Sequence, residues 1–345
     1  MKAAKIQLLC IILLYLLIFT SCSSASPSLS QQPQTGENSS SFFQESSEQA
    51  SSENTRDTAE TMQKDEDLKQ QSIQAYEELT SSLVMKPLVL PPPSVKGTSF
   101  KKPFSIQVSY TNSLPASQVP VTVEYPGSIS YGIVQFSKME MLTNDQGILE
   151  FISPPANFSC NSVISFYPSP SEQYPELSSI ANRISLKIPY LVKTNLTASG
   201  GSICIVDYDK EGNPILSNGL SSSAVLGSLI RNGFTRIGNA EFYKEVASGN
   251  LDVLLKSAKD LFGSITSYFI IGTVKYAEPP FENEDKTVTV KLIAEISCID
   301  MKTDAILFST SVEAAGSGKN EQSALTSVRT EQLAPLLAEK IMYGM

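Results

Sequence analysis

The apolar residues of this chain keep three different rhythms in three successive stretches, and those rhythms restrict its fold more than any other feature. Between Thr58 and Met85 they recur at Met62, Leu68, Ile73, Tyr76, Leu79 and Leu83 among Glu, Gln and Lys, which is approximately the spacing of one helical face. An amphipathic helix is expected there, docked on the chain itself, paired with a second copy or bound to a partner. Pro87 and the run Pro91-Pro92-Pro93 end it, because proline fixes φ and has no amide hydrogen to donate. From about Lys96 to Leu196 the period falls to two, as in Phe104-Ile106-Val108-Tyr110 and Val119-Val121-Val123-Tyr125, with Pro, Gly, Asn and Ser between the runs. That alternation predicts the short strands of a small β-sandwich.

From Gly200 onward, strand and helix patterns alternate. Ser202 to Asp209 reads as a buried strand ending in acidic residues, and Leu216, Leu220, Val225, Leu229 and Ile230 mark a helix closed by Asn232-Gly233. Phe234 to Gly238 is a short strand, and Phe242, Val246, Leu251, Leu254, Leu255, Ala258 and Leu261 trace a second helix. Strands over Ser267 to Tyr276, Thr287 to Asp300 and Ala305 to Ala314 follow, then a helix from Lys319 to Met342 with a local irregularity at Pro335. The order β-α-β-α-β-β-β-α predicts an α/β (α+β) sandwich with a mixed sheet.

The beginning of the chain bears on location. Lys2 and Lys5 precede an apolar run from Ile6 to Phe19, about 14 residues or roughly 21 Å as a helix, against about 30 Å for a bilayer core. Residues 1–21 therefore read as a signal peptide. Thr20-Ser21-Cys22 resembles a lipobox, with Phe19 and Ser21 where Leu and a smaller residue are usual, so Cys22 is the expected lipidation site and the lipid its membrane anchor; plain secretion is the alternative. Residues 22–57 are Ser-, Gln- and Glu-rich, almost without apolar residues apart from Phe42 and Phe43, and cannot bury enough surface to offset their ordering entropy. They read as a disordered tether reaching roughly 30 to 35 Å. Ser23 after the lipid site favours the outer membrane by the enterobacterial sorting rule, on its periplasmic face or at the cell surface.

Composition narrows the chemistry. The chain has no histidine, which removes the usual general base and the commonest zinc ligand. Its net charge of −9 offers no basic field for phosphate backbones, so nucleic acid is not an expected partner. Cys160, Cys204 and Cys298 sit in apolar surroundings and read as buried small residues, with a Cys204 to Cys298 bridge as the sharper alternative. Gly316-Ser317-Gly318-Lys319-Asn320 lacks the first glycine and the Ser or Thr of a phosphate loop and reads as a flexible cap. Ser99-Phe100-Lys101-Lys102 matches S-x-x-K away from any core helix. Ser221-Ser222-Ser223 reads as helix surface. Asp207, Asp209 and Glu211 cluster at the carboxyl end of a strand, where α/β sheets often place ligands; they form a candidate ligand or contact loop for a metal or cationic group, or else a solvated acidic loop.

Two resemblances add to this. Thr143-Asn144-Asp145-Gln146-Gly147-Ile148-Leu149-Glu150-Phe151 resembles the turn-and-strand of bacterial immunoglobulin-like domains, in which Asp and Gly shape the turn and Phe enters the core; a Ca²⁺ loop at Asp145 is the alternative, short of carboxylates. Cys204-Ile205-Val206-Asp207, then Tyr268-Phe269-Ile270-Ile271-Gly272-Thr273-Val274, then Ile299-Asp300-Met301-Lys302-Thr303-Asp304-Ala305-Ile306-Leu307-Phe308-Ser309 together resemble the CsgG/LpoB/TolB-amino-terminal family of envelope lipoprotein domains, with Asp304 where that family's turn glycine is usual.

The expected organisation is multidomain: signal peptide at 1–21, tether at 22–57, helix and proline-rich linker at 58–95, immunoglobulin-like β-sandwich at 96–198 and the α/β domain at 199–345. The second resemblance implies a non-catalytic protein-binding or assembly factor that contacts an envelope protein, needs no cofactor, and leaves self-association into a homo-oligomer open. A surface adhesin or antigen, or a CsgG-like secretion pore component, are the alternatives. The acidic, proline-broken Glu278 to Asp285 hairpin is too short for a membrane-crossing pair of strands.

Overall fold

The computed structural model describes residues 51–345 apart from Tyr131, Glu172 and Pro175, with side chains from residue 63 onward. Cys22 and the signal peptide lie outside the described residues, as does the tether up to residue 50. By its internal contacts the chain divides into Met1–Thr61 and Met62–Met345; the β-sandwich and the α/β portion belong to the second unit, which is described below.

Helix α1 (Ser51–Ser82) begins inside the stretch expected to be tether. Over its described side chains the predicted apolar face docks on the chain itself. Tyr76 is buried with Tyr167, Leu177, Ile180 and Ala181, and its hydroxyl donates to the Pro168 carbonyl at 2.5 Å. The segment after it departs from expectation. Leu83–Val89 is strand β1, not linker, and it pairs antiparallel with β3 (Phe104–Tyr110). Pro87 is accommodated by the register shift that follows it, since the ladder loses little where it is already interrupted.

Two sheets then share one core. The first has the order β1-β3-β6, with β6 at Ile148–Phe151. The second contains β2 (Ser94–Val95), β4 (Pro120–Ser130), β5 (Ile133–Leu142), β7 (Cys160–Pro168) and β8 (Leu186–Lys193), in the order β2-β8-β7-β4-β5. Phe104, Ile106 and Val108 from one sheet meet Val121, Val123, Ile164, Phe166 and Ile188 from the other, so the predicted period of two is the inward-facing set of a β-sandwich. A short helix, α2 (Leu177–Ile184), links β7 to β8. At the predicted turn, Gly147 has φ +70°, and the Asn144 side chain accepts from the Gln146 and Ile148 amides at 2.9 Å each. Asn144, rather than Asp145, forms the local bonds; Asp145 instead accepts from Ser117.

The remaining chain builds a mixed sheet, β10-β9-β11-β13-β12, with β14 on the far side of β13. These strands are β9 (Gly201–Asp207), β10 (Ile237–Asn239), β11 (Tyr268–Tyr276), β12 (Phe281–Glu282), β13 (Val288–Asp300) and β14 (Ile306–Gly318). β9 runs parallel to β10 and β11, and the β11-β13-β14 part is antiparallel. Every residue of β9 is buried, as a strand covered on both faces must be. Ile203 and Ile205 face α3 (Leu220–Arg231), α6 (Glu321–Ser327) and α7 (Ala334–Gly344). Cys204 and Val206 face α4 (Tyr243–Ser248) and α5 (Leu251–Phe262), the two pieces into which Gly249 in the left-handed conformation divides the predicted second helix.

Cys204 and Cys298 stand on β9 and β13 with β11 between them, and they belong to cores on opposite faces of the sheet. No bridge spans that separation, and both thiols are free. Asp304 adopts φ +60° and ion-pairs with Lys259, so it fills the turn position usually given to glycine. Gly316-Ser317-Gly318 is the end of β14 and not a flexible cap. A side chain at Gly316 would meet the Val328 amide at 2.7 Å, which is how closely the following helix approaches. Asn320 caps α6 in a capping box with Ser323. The chain end returns to the sandwich. Ser159 donates to the Met345 carbonyl, Asn161 donates to Glu339 at 2.8 Å, and the Thr194 amide donates to Met342 at 2.8 Å.

Candidate functional site

β9 delivers Asp207 to its carboxyl end, where the predicted ligand loop begins. The three acidic residues part company there. Asp207 is buried, at 2% exposure; its Oδ2 accepts from the Ser221 amide at 3.0 Å and its Oδ1 from the Ser221 hydroxyl at 2.5 Å. Ser221 lies in the first turn of α3, whose N-cap, Gly219, has no side chain to offer. Asp207 therefore caps α3 from a neighbouring element, satisfying an orphan amide and placing negative charge at the positive end of the helix dipole. Ser221 and Ser222 are correspondingly buried, each 1% exposed, and not helix surface; Ser222 donates to Asn239 at 3.0 Å.

Asp207 also faces Arg329, a residue that the sequence pattern did not single out. The Arg329 Nε lies 3.3 Å from Asp207 Oδ1, with both side chains almost entirely buried. The contact is an ion pair without the alignment of a hydrogen bond, and Nε has no hydrogen-bond partner. Arg329 sits in a π-helical turn, Val328–Leu333, that separates α6 from α7. The irregularity expected at Pro335 takes this form: Pro335 opens α7, its ring would crowd the Glu331 carbonyl in a regular helix, and the preceding turn is widened. Such π turns re-aim single side chains and recur at functional sites.

Above this pair is a cleft of about 480 Å³, lined among others by Asp209, Glu211, Tyr276, Glu321 and Arg329. Asp209 is tied to its own loop, accepting from the Asn213 amide at 2.7 Å and the Asn213 side chain at 3.0 Å; these bonds hold its carboxyl below the usual range. Glu211 is exposed. The Tyr276 hydroxyl donates to Glu321 at 3.0 Å. Burial first, and then that carboxylate, push the phenol up to about 12. Among the described residues, no group of three or more His, Cys, Asp or Glu side chains is arranged to hold a metal ion, and no helix is long and apolar enough to cross a membrane. The arrangement is a buried ion pair under an acidic rim, with Arg329 the charged donor at the floor.

These features define a mixed α/β domain, with helices on both faces of an open sheet and a charged cleft at the carboxyl end of β9. Residues 200–342 match the family model described as TP0693-like lipoprotein, C-terminal domain. The match covers less than half of the chain and is to a domain of bacterial lipoproteins. No curated protein matches the chain in sequence. Solved structures similar to part of it include the PelC dodecamer from Paraburkholderia phytofirmans, at 18% identity over 41% of this chain and 88% of that one, TM-score 0.27. Others are lipoprotein GNA1162 from Neisseria meningitidis, at 16% identity over 41% and 98%, TM-score 0.26, and the hypothetical protein CT253 from Chlamydia trachomatis, at 11% identity over 41% and 92%, TM-score 0.27.

Proposed function

We propose that this lipoprotein is anchored through Cys22 to the outer membrane and works without catalysis, as a protein-binding or assembly factor whose CsgG/LpoB/TolB-amino-terminal-like domain docks an envelope protein, with the immunoglobulin-like sandwich as spacer. One observation carries the reading. β14 is a 13-residue edge strand that pairs, among the described residues, with β13 alone. Its sequence holds a single charged residue, Glu313, and no proline. Edges are normally blunted by charge, proline or shortness because their free amides and carbonyls template another strand. A long unblunted edge suits recognition by strand addition, with main-chain hydrogen bonds supplying affinity.

The test is photo-crosslinking of the full chain in living cells, with the reactive group at Ser311 or Ala315 on β14, or at Lys256 on α5 as the control. An envelope protein captured from the β14 positions and not from Lys256 supports the reading. Capture only of further copies of the chain as a ring favours the pore, and capture only of external host material favours the adhesin; either result overturns it, as does equal capture from α5.

A further inference from the structure

The cleft over Asp207 is independent of the β14 edge and poses its own question, because Asp207 balances the charge of Arg329 but leaves a buried donor of the guanidinium without a hydrogen bond. Arg329 is at least nine-tenths buried, lines the cleft, and among the described residues its Nε is a buried donor without a hydrogen-bond partner. A guanidinium presents five donors in a planar fork that matches a carboxylate, and Asp207, which already accepts two hydrogen bonds from Ser221, meets its Nε at 3.3 Å without a hydrogen bond. A donor left unpaired in a buried site favours an incoming acceptor.

The rim carries the opposite charge. Glu321 and Glu211 both act on the Tyr276 phenol, as Arg329 does with opposite sign, so the four groups share one neighbourhood. A simple anion such as phosphate would reach Arg329 only past Glu211, Glu321 and Asp209, with Lys210 the sole lining cation besides Arg329. A simple cation would meet the guanidinium at the floor. A ligand bearing both charges satisfies both ends.

We propose that this cleft binds a small zwitterion with a carboxylate and an ammonium group, a free amino acid or a short unblocked peptide, its carboxylate on the Arg329 guanidinium and its ammonium between Glu211 and Glu321. The volume of about 480 Å³ lies in the range of small-molecule sites, roughly 300 to 1,000 Å³. Half-exposed Leu220 and Ile215 supply apolar contact for a side chain between the two charges.

The test is calorimetric titration of the full chain in detergent with four probes: the dipeptide alanyl-leucine, its N-acetyl form, its C-terminal amide, and inorganic phosphate. The unblocked dipeptide should bind, and each blocked form should bind at least about tenfold more weakly. Glu211→Gln, at an exposed position with no part in the fold, should weaken the dipeptide and leave the N-acetyl form unchanged. Arg329→Lys should abolish binding of both, its melting temperature being compared with wild type so that loss of the site is separated from loss of the fold. Binding of the amide as tight as that of the acid, preference for phosphate, indifference to Glu211→Gln, or no heat from the dipeptide at millimolar concentration would each overturn the proposal.

Discussion

Arg329 meets Asp207 at 3.3 Å inside the α/β portion, one from the π turn Val328–Leu333 and the other from the last position of β9. The strand end, the start of α3 and the final helical segment are joined by one carboxylate. Removing its charge leaves a buried guanidinium without a counterion, a situation that costs about 3 to 5 kcal/mol. Asp207→Asn should lower stability by that amount in urea unfolding, whereas the paired change Asp207→Leu with Arg329→Met, which removes both charges, should cost clearly less than the sum of the two single changes. Additivity of the single effects would show that the two side chains do not act as a pair.

Met345 is 3% exposed and its carbonyl accepts from Ser159 in the sandwich. The chain terminus therefore fastens the α/β portion to the β-sandwich. Deleting Met345 removes a buried side chain and orphans the Ser159 hydroxyl; burial of one such side chain is worth about 2 to 5 kcal/mol. The deletion should lower the melting temperature, and Ser159→Ala alone should cost about 1 kcal/mol. A deletion that melts like wild type would mean that the terminus is merely resting on the surface.

Much of the fold was legible because period and punctuation agreed. The alternating residues of β3 and β4 became the sandwich core, the apolar run Ile203-Cys204-Ile205-Val206 of β9 became the strand covered on both sides, and Asp304 took the left-handed turn position. β1 was hidden by Pro87, since proline argues against a strand unless a ladder irregularity receives it. The site was half legible. Asp207, Asp209 and Glu211 do line one cleft, but burial gives them different work, and burial cannot be read from adjacency. Arg329 had a signal that went unused: Leu325, Arg329, Leu333 and Leu337 follow one another at steps of four, so a cation stands on the apolar stripe of the last helix. Such a residue must find a buried partner. Ser221 stands likewise four before Val225 and eight before Leu229, on the stripe and not on the surface.

Gly147 combines φ +70° with a backbone approach in which an added Cβ would lie 2.2 Å from the Val108 carbonyl oxygen. Both the conformation and the space require glycine, so Gly147→Ala should destabilise by more than about 1 kcal/mol. Gly97 shares the positive φ, at +82°, but has open space around it, and Gly97→Ala should cost the left-handed strain alone, about 1 to 2 kcal/mol and less than Gly147→Ala. Denaturant midpoints of the two variants should therefore separate; coincident midpoints would show that steric approach adds nothing to the turn.

The buried thiols make the last prediction one of pH. Burial pushes Cys160 and Cys204 up to about 11 and Cys298 up to about 12, from an ordinary 9.0. Burial likewise pushes Tyr76 up to about 12 from 10.0. Above about pH 9 the unfolded chain releases protons that the folded chain still holds, so the folded state binds more protons and stability falls as pH rises. The contribution is fully present below that point and is lost progressively as the pH climbs toward the folded-state values of about 11 to 12. Urea midpoints should hold steady around neutral pH and drop by about pH 10.5, with ionisation of the thiols and of Tyr76 each adding to the slope. Because the thiolate is the reactive form, alkylation of the three cysteines at neutral pH should be slow in the native chain and rapid in urea. Substituting Cys298 by Ala should flatten the alkaline slope; an unchanged slope would assign the pH dependence to other groups.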